Sequence, residues 1–163
     1  MRSAAALSVA AVASMLMQTT IFPSLPGLPV VPDLIFVLAV YLGVAHPTIG
    51  GAAGAFLLGY FLDTFSGTLL GQNAFALSAV YLSVRFVARH LWFERGLPVM
   101  ALAFFGGLVR GVAVAAAAVL AAGPGPLWAH AMRAGLVGAA LAALLAPAVF
   151  AALAWEKRLL GVT

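Results

Sequence analysis

The chain has 163 residues, of which 65% are hydrophobic and 7% are charged, and its mean hydropathy is +1.16. An ordinary soluble domain is about half apolar and about a quarter charged, so this composition excludes most soluble folds. It also excludes a disordered chain, which needs low hydrophobicity and high net charge. The remaining class is an integral membrane protein, and at about 20 residues per span the length allows six spans with short loops.

The net charge of +4 and the pI near 10.4 do not indicate nucleic-acid binding, because the eight Lys and Arg residues form no basic stripe. Cysteine is absent, which excludes disulfides, thiolate metal sites and cysteine nucleophiles. The sequence also contains no HExxH motif, no P-loop and no Ser/His/Asp set at catalytic spacing. We therefore expect a protein that is not an enzyme and that needs neither cofactor nor metal.

Six apolar segments predict an all-α integral membrane protein, a bundle of six transmembrane helices in one domain. The first segment follows a positive Met1-Arg2 start and also fits a cleaved signal peptide, but it is long enough to span as a retained helix. Prolines at every third position from Pro23 to Pro32 favour an extended loop. The second segment has only 13 residues, too few to cross a bilayer unbroken. The predicted spans are 3–22, 33–45, 49–65, 70–90, 97–122 and 127–155.

The distribution of basic residues predicts the orientation of these spans. The predicted loops 23–32, 66–68 and 123–126 lie on one side and contain no Lys or Arg. The positive-inside rule assigns the opposite, basic side to the cytoplasm, together with both termini. The basic residues at that side are Arg2, Arg89, Arg95, Lys157 and Arg158.

Three charges, Asp63, Arg110 and Arg133, are predicted to lie inside the membrane, where charged side chains face the protein interior, water or a partner. A rise of about 1.5 Å per residue places Asp63 and Arg133 at similar depths, so we expect them to pair. His130 lies three residues from Arg133 and shares its helix face. Arg110 lies at the centre of the fifth span, with no acid at its depth by this count, so Tyr41, backbone carbonyls or a partner protein would have to satisfy it. The alternatives are direct use of these charges at a partner helix, or in an ion path.

Other residues are predicted to have structural roles. Asp33, directly after Pro32, is placed to cap the N-terminus of the second span. Small residues recur at every fourth position in three spans, and such seams allow helices to approach closely in lipid. The seams are Gly51, Ala55, Gly59, Asp63 and Gly67 in the third span; Ala103, Gly107, Gly111 and Ala115 in the fifth; and Ala131, Gly135, Ala139 and Ala143 in the sixth.

An ordered set of residues in this region resembles a known family. Pro32-Asp33-Leu34 opens the second span, and a G…D…SG…LG run joins the third and fourth spans. This pattern, over residues 32–81, resembles the rod shape-determining protein MreD family. The positions that match the motif are Asp33, Gly59, Asp63, Gly67 and Gly71.

The resemblance implies a non-enzymatic membrane scaffold of the bacterial cell-elongation machinery, which supports peptidoglycan synthesis and cell shape. It implies that the chain lies in the cytoplasmic (inner) membrane and docks an MreC-like bitopic protein. RodA, a class B penicillin-binding transpeptidase and, indirectly, MreB are the further implied partners. We expect the partner's membrane helix to dock on the small-residue seams.

The family also looks similar in fold to the substrate-binding subunits of energy-coupling-factor vitamin transporters. The alternative function is therefore a small-molecule-binding subunit of such a transporter. A secondary transporter is a third possibility, but the sequence shows no convincing internal symmetry. The polar residues available for a small-molecule site are Asp33, Asp63, Gln72, Asn73, His130 and Arg133.

Overall fold

The computed structural model describes residues 2–21, 33–67, 70–90, 97–123 and 127–159. Within these ranges every regular element is helical, which confirms the predicted all-α class. The helices are α1 (Arg2–Leu16), a π-helical turn (Met17–Ile21), α2 (Leu34–Ala45), α3 (Ile49–Ser66), α4 (Gln72–Ala88), α5 (Leu97–Ala122) and α6 (Leu127–Leu159). The predicted proline loop 23–32, the loop 91–96 and most of the turn at 123–126 lie outside the described residues.

Three helices in the described part of the chain are long and apolar enough to cross a membrane. They are Ile49–Ser66 and the stretches Pro98–Ala117 and Gly135–Trp155. By contrast, α2 is apolar but has only 12 residues, a length of about 18 Å, which is less than the hydrocarbon core of about 30 Å. The six-span topology and its orientation remain predictions.

The short helix α2 forms the centre of the bundle. It contacts each of the other five α-helices, and every residue from Leu34 to Gly43 is buried. A helix that is apolar on all sides requires an apolar environment, either a protein core or lipid, and here the neighbouring helices provide it. Phe36 and Val40 of α2 accordingly share one core cluster with Tyr81 of α4 and Leu102 of α5.

The small-residue seams of α3 and α5 pack against neighbouring helices of the same chain. A Cβ atom at Gly59 would collide with the backbone of Asn73 and Ala74 in α4. A Cβ atom at Gly107 would collide with Ala139 of α6, and Gly111 faces Gly135 in the same contact. These seams are therefore occupied by other helices of the same chain, contrary to the expectation that a partner's helix docks on them.

The turn between α2 and α3 is held by a side chain of α4. The Tyr81 hydroxyl lies within hydrogen-bond distance of two carbonyl oxygens, those of Thr48 at 2.8 Å and His46 at 3.0 Å. Thr48 also caps α3 by accepting from the N–H of Gly51 at 3.1 Å. A Cβ atom at Gly51 would collide with the His46 carbonyl, so a larger residue at position 51 would displace this turn.

We predict that Gly59→Leu lowers the thermal stability of the chain in detergent. The new side chain must displace the α4 backbone, and overpacking of this kind costs about 1–3 kcal/mol or more. The matched control is Gly138→Leu in α6, where a Cβ atom meets nothing within 4 Å. Equal melting temperatures for the two variants would show that close packing of α3 on α4 is not needed.

Candidate functional site: an embedded charge network

Asp63, near the end of α3, caps the N-terminus of the next helix. Its Oδ1 accepts from the backbone N–H of Asn73 and from the Asn73 side-chain amide, both at 2.9 Å. Its Oδ2 accepts from the N–H of Gly71 at 3.0 Å and of Ala74 at 3.1 Å. The first N–H groups of a helix have no acceptor within the helix, and Asp63, which is 2% exposed, supplies acceptors where water is excluded.

The glycines of the family-like motif shape the turn that makes this cap possible. Gly67 ends α3 with φ of 63° and Gly71 precedes α4 with φ of 95°, a left-handed conformation that other residues adopt at a cost. Gly59, one turn before Asp63, allows α4 to lie directly against α3. Together these motif residues build the α3–α4 hairpin.

Asp33 and Gln18 cap α2 in the same way. The Asp33 carboxylate accepts from the N–H of Phe36 at 2.9 Å, and its carbonyl accepts from the N–H of Val37 at 3.3 Å. Gln18, in the π-helical turn, accepts from the N–H groups of Leu34 and Ile35 when its carboxamide is oriented with the oxygen toward α2. In that orientation all four initial N–H groups of α2 have an acceptor, as expected for a helix that begins inside a bundle.

Arg110, at the middle of α5, joins the two caps. One terminal nitrogen, Nη1, lies 2.6 Å from Oδ2 of Asp33, and the other, Nη2, donates to Oδ1 of Asn73 at 3.3 Å. The guanidinium also lies over the Phe36 ring, 5.8 Å from its centroid, a cation–π contact. We call Gln18, Asp33, Asp63, Asn73 and Arg110 the charge network.

The charge network lies where two helices begin side by side. Arg110 brings the Asp33 end of α2 to the Asn73 end of α4, and further along Gly43 of α2 lies against Val84 of α4. The two helices therefore run in the same direction. Each N-terminus carries about half a positive charge, so two carboxylates, two helix termini and one guanidinium nearly balance.

Comparison with known proteins identifies the family. The family model for the rod shape-determining protein MreD matches residues 1–154. The chain belongs to the MreD family. No curated protein and no solved structure matches it.

In this MreD-family chain, the structure confirms the capping role of Asp33 and corrects the prediction for Arg110. Counting residues from the membrane surface predicts no acid at the depth of Arg110, because the count starts every span at that surface. With only 12 residues, α2 does not have to start there, and Asp33 lies beside the centre of α5. The side chains of Arg133 and His130 lie outside the described residues, so the predicted Asp63–Arg133 pair stays a prediction.

Two members of the network were not predicted as such. From the sequence, Asn73 is predicted only as a polar residue of a small-molecule site, although its position two residues after Gly71 places it in the first turn of α4. Gln18 is not predicted from the sequence, because an α-helical count does not anticipate the π-helical turn in which it lies; such turns often occur at functional sites. The sequence signal for the role of Gln18 is that it is the one glutamine in the first apolar segment.

We predict that the melting temperature is highest for the wild type, lower for Asp63→Asn and lowest for Asp63→Ala. Asparagine keeps one acceptor oxygen and alanine keeps none, and each buried donor left unpaired costs about 1–3 kcal/mol. Melting in detergent measures the order. Thr64→Ala is the control, since the Thr64 hydroxyl bonds only the carbonyl of Phe61 in its own helix at 2.7 Å. An Asp63→Ala protein as stable as Thr64→Ala would refute the cap.

A second prediction concerns the Asp33–Arg110 pair, whose side chains are 22% and 24% exposed. Breaking a fully buried pair costs about 3–5 kcal/mol because one charge stays unpaired, whereas exposed pairs contribute about 0–1 kcal/mol. We expect an intermediate loss for Arg110→Gln. The double variant with Asp33→Asn should be more stable than Arg110→Gln alone, because no unpaired charge remains. Additive losses in this double-mutant cycle would contradict the pairing.

Proposed function

We propose that this chain is a non-enzymatic membrane scaffold of the rod-type cell-elongation machinery. In this proposal it lies in the bacterial inner membrane with both termini in the cytoplasm, and it docks an MreC-like bitopic protein. Through that partner it supports RodA, a class B penicillin-binding transpeptidase and MreB in peptidoglycan synthesis. The match to the MreD family over residues 1–154 carries the proposal.

The use of the motif residues supports a scaffold. Asp63 bonds the α4 terminus and Arg110 bonds Asp33, so these charges hold helices together. A catalytic or transport site needs polar groups that converge on a substrate. A rigid bundle that presents its outer helix faces is better suited to holding other membrane proteins.

The alternative is a vitamin-binding subunit of an energy-coupling-factor transporter. Three of the polar residues available for its site, Asp33, Asp63 and Asn73, bond within the charge network. A ligand there would have to replace helix caps. For this reason we prefer the scaffold.

The test is purification of the tagged chain in mild detergent, followed by mass spectrometry of the proteins that accompany it. We expect an MreC-like single-span protein together with RodA-type and penicillin-binding components. An unrelated multispan protein with the same tag is the control. Recovery of two ATPases and a coupling membrane subunit would instead establish the transporter function.

A further inference from the structure

A long apolar groove lies between α1 and α3. Its volume is about 780 Å³. One wall is Ala11 and Val12 of α1, the other includes Gly50 and Ala53 of α3, and Leu42 of α2 lines the groove between them. Gly54 of α3 lies close to Leu42, because a Cβ atom added at Gly54 would be 3.3 Å from the Leu42 side chain.

The groove follows α3 along nearly its full length. Its lining extends from His46 and Thr48, before the first turn of α3, to Thr64 in the last turn. The 18 residues of α3 measure about 27 Å, close to the thickness of the hydrocarbon core, about 30 Å. An occupant that fills the groove must therefore cross the bilayer, which a lipid chain anchored at one surface and confined to one leaflet does not do.

The charge of the groove defines the chemistry of its occupant. The described lining contains no Asp, Glu, Lys or Arg. Asp33, Asp63 and Arg110 are bonded within the chain, so none of them requires a counter-charge from a partner. A helix with a charged residue at this face would leave that charge unpaired in lipid, which is costly. Complementarity therefore selects an uncharged helix face.

The shape of the groove argues against a two-fold dimer in which two copies pair groove against groove. A two-fold dimer places the same surface on both subunits, and a concave groove set against its own copy leaves its volume unfilled. A single helix is convex and fits between two walls. The small residues Gly50 and Ala53 in the α3 wall would let its backbone approach closely.

We propose that the α1–α3 groove docks the one transmembrane helix of a bitopic partner, through an uncharged face of that helix. The inference rests on the proposed scaffold function and assigns its docking surface. It places the contact on the face of α3 that carries Gly50, Ala53 and Leu57, away from Ala55 and Gly59, which are buried within the chain.

Two bulky substitutions fill the groove without disturbing the fold. A Cβ atom at Gly50 comes no nearer than 3.7 Å, to the Thr48 hydroxyl, and Ala53 is exposed, so Gly50→Leu and Ala53→Trp have room. Gly138→Leu and Ala140→Trp are the matched controls, because both positions are open and neither lines the groove. We expect the groove variants to melt like their controls and to recover at least about tenfold less of the single-span protein, the effect of about 1.4 kcal/mol.

The position of the contact is tested by a photoreactive benzoylphenylalanine at position 57 in living cells, with position 140 as the control. We expect an adduct from position 57 alone, with the crosslinked peptide in the membrane span of the single-span protein. Adducts to lipid only or to a second copy of the chain would overturn the inference, as would wild-type recovery by both groove variants. If the single-span protein co-purifies but crosslinks only outside the groove, the proposed docking surface is wrong and the proposed scaffold function stands. If no single-span protein co-purifies, the proposed function itself is wrong.

Discussion

Asp33 and Asp63 supply hydrogen-bond acceptors to the N-termini of α2 and α4, and the rest of the bundle depends on these two caps. Inside a membrane, free N–H groups find no water, and each unsatisfied group costs several kcal/mol. A carboxylate satisfies several of them, but its own charge then needs compensation. Arg110 provides it by bonding Asp33 and the side chain of Asn73, which in turn bonds Asp63.

The caps allow a central helix that is too short to span. Asp33 accepts from the N–H groups of Phe36 and Val37, and Gln18, with its amide oxygen toward α2, accepts from those of Leu34 and Ile35. With these acceptors α2 can begin within the bundle and be surrounded by the five other α-helices. In these bonds the charged groups of Asp33, Asp63 and Arg110 already have partners within the chain. A surface that could bind another protein must then do so by the fit of its shape and not by charge. The groove between α1 and α3, whose described lining is uncharged, is such a surface. In the proposed scaffold function, a partner helix would be held by close packing of helices.

The sequence was sufficient to predict the helices, because long apolar segments interrupted by Gly, Pro and charged residues leave few alternatives. It also identified Asp33 as a cap, since the residue follows Pro32 at the start of an apolar run, and it placed Asp63 on a seam of small residues. It could not pair Arg110 with Asp33, because that contact depends on the depth at which α2 begins. Nor could it assign partners to the seams, since a Gly or Ala at every fourth position permits close packing without specifying which helix arrives. Gln18 required knowledge of a π-helical turn.

A cryo-EM structure of the chain bound to the proposed single-span partner tests the central claim most directly, because it shows in one map where the charges of Asp33, Asp63 and Arg110 are compensated. We expect Arg110 to remain on Asp33 and Asn73, Asp63 to remain on the first turn of α4, and the partner helix to lie between α1 and α3 with an uncharged face toward Gly50 and Ala53. A partner acid bonded to Arg110, with Asp33 released from it, would contradict the account.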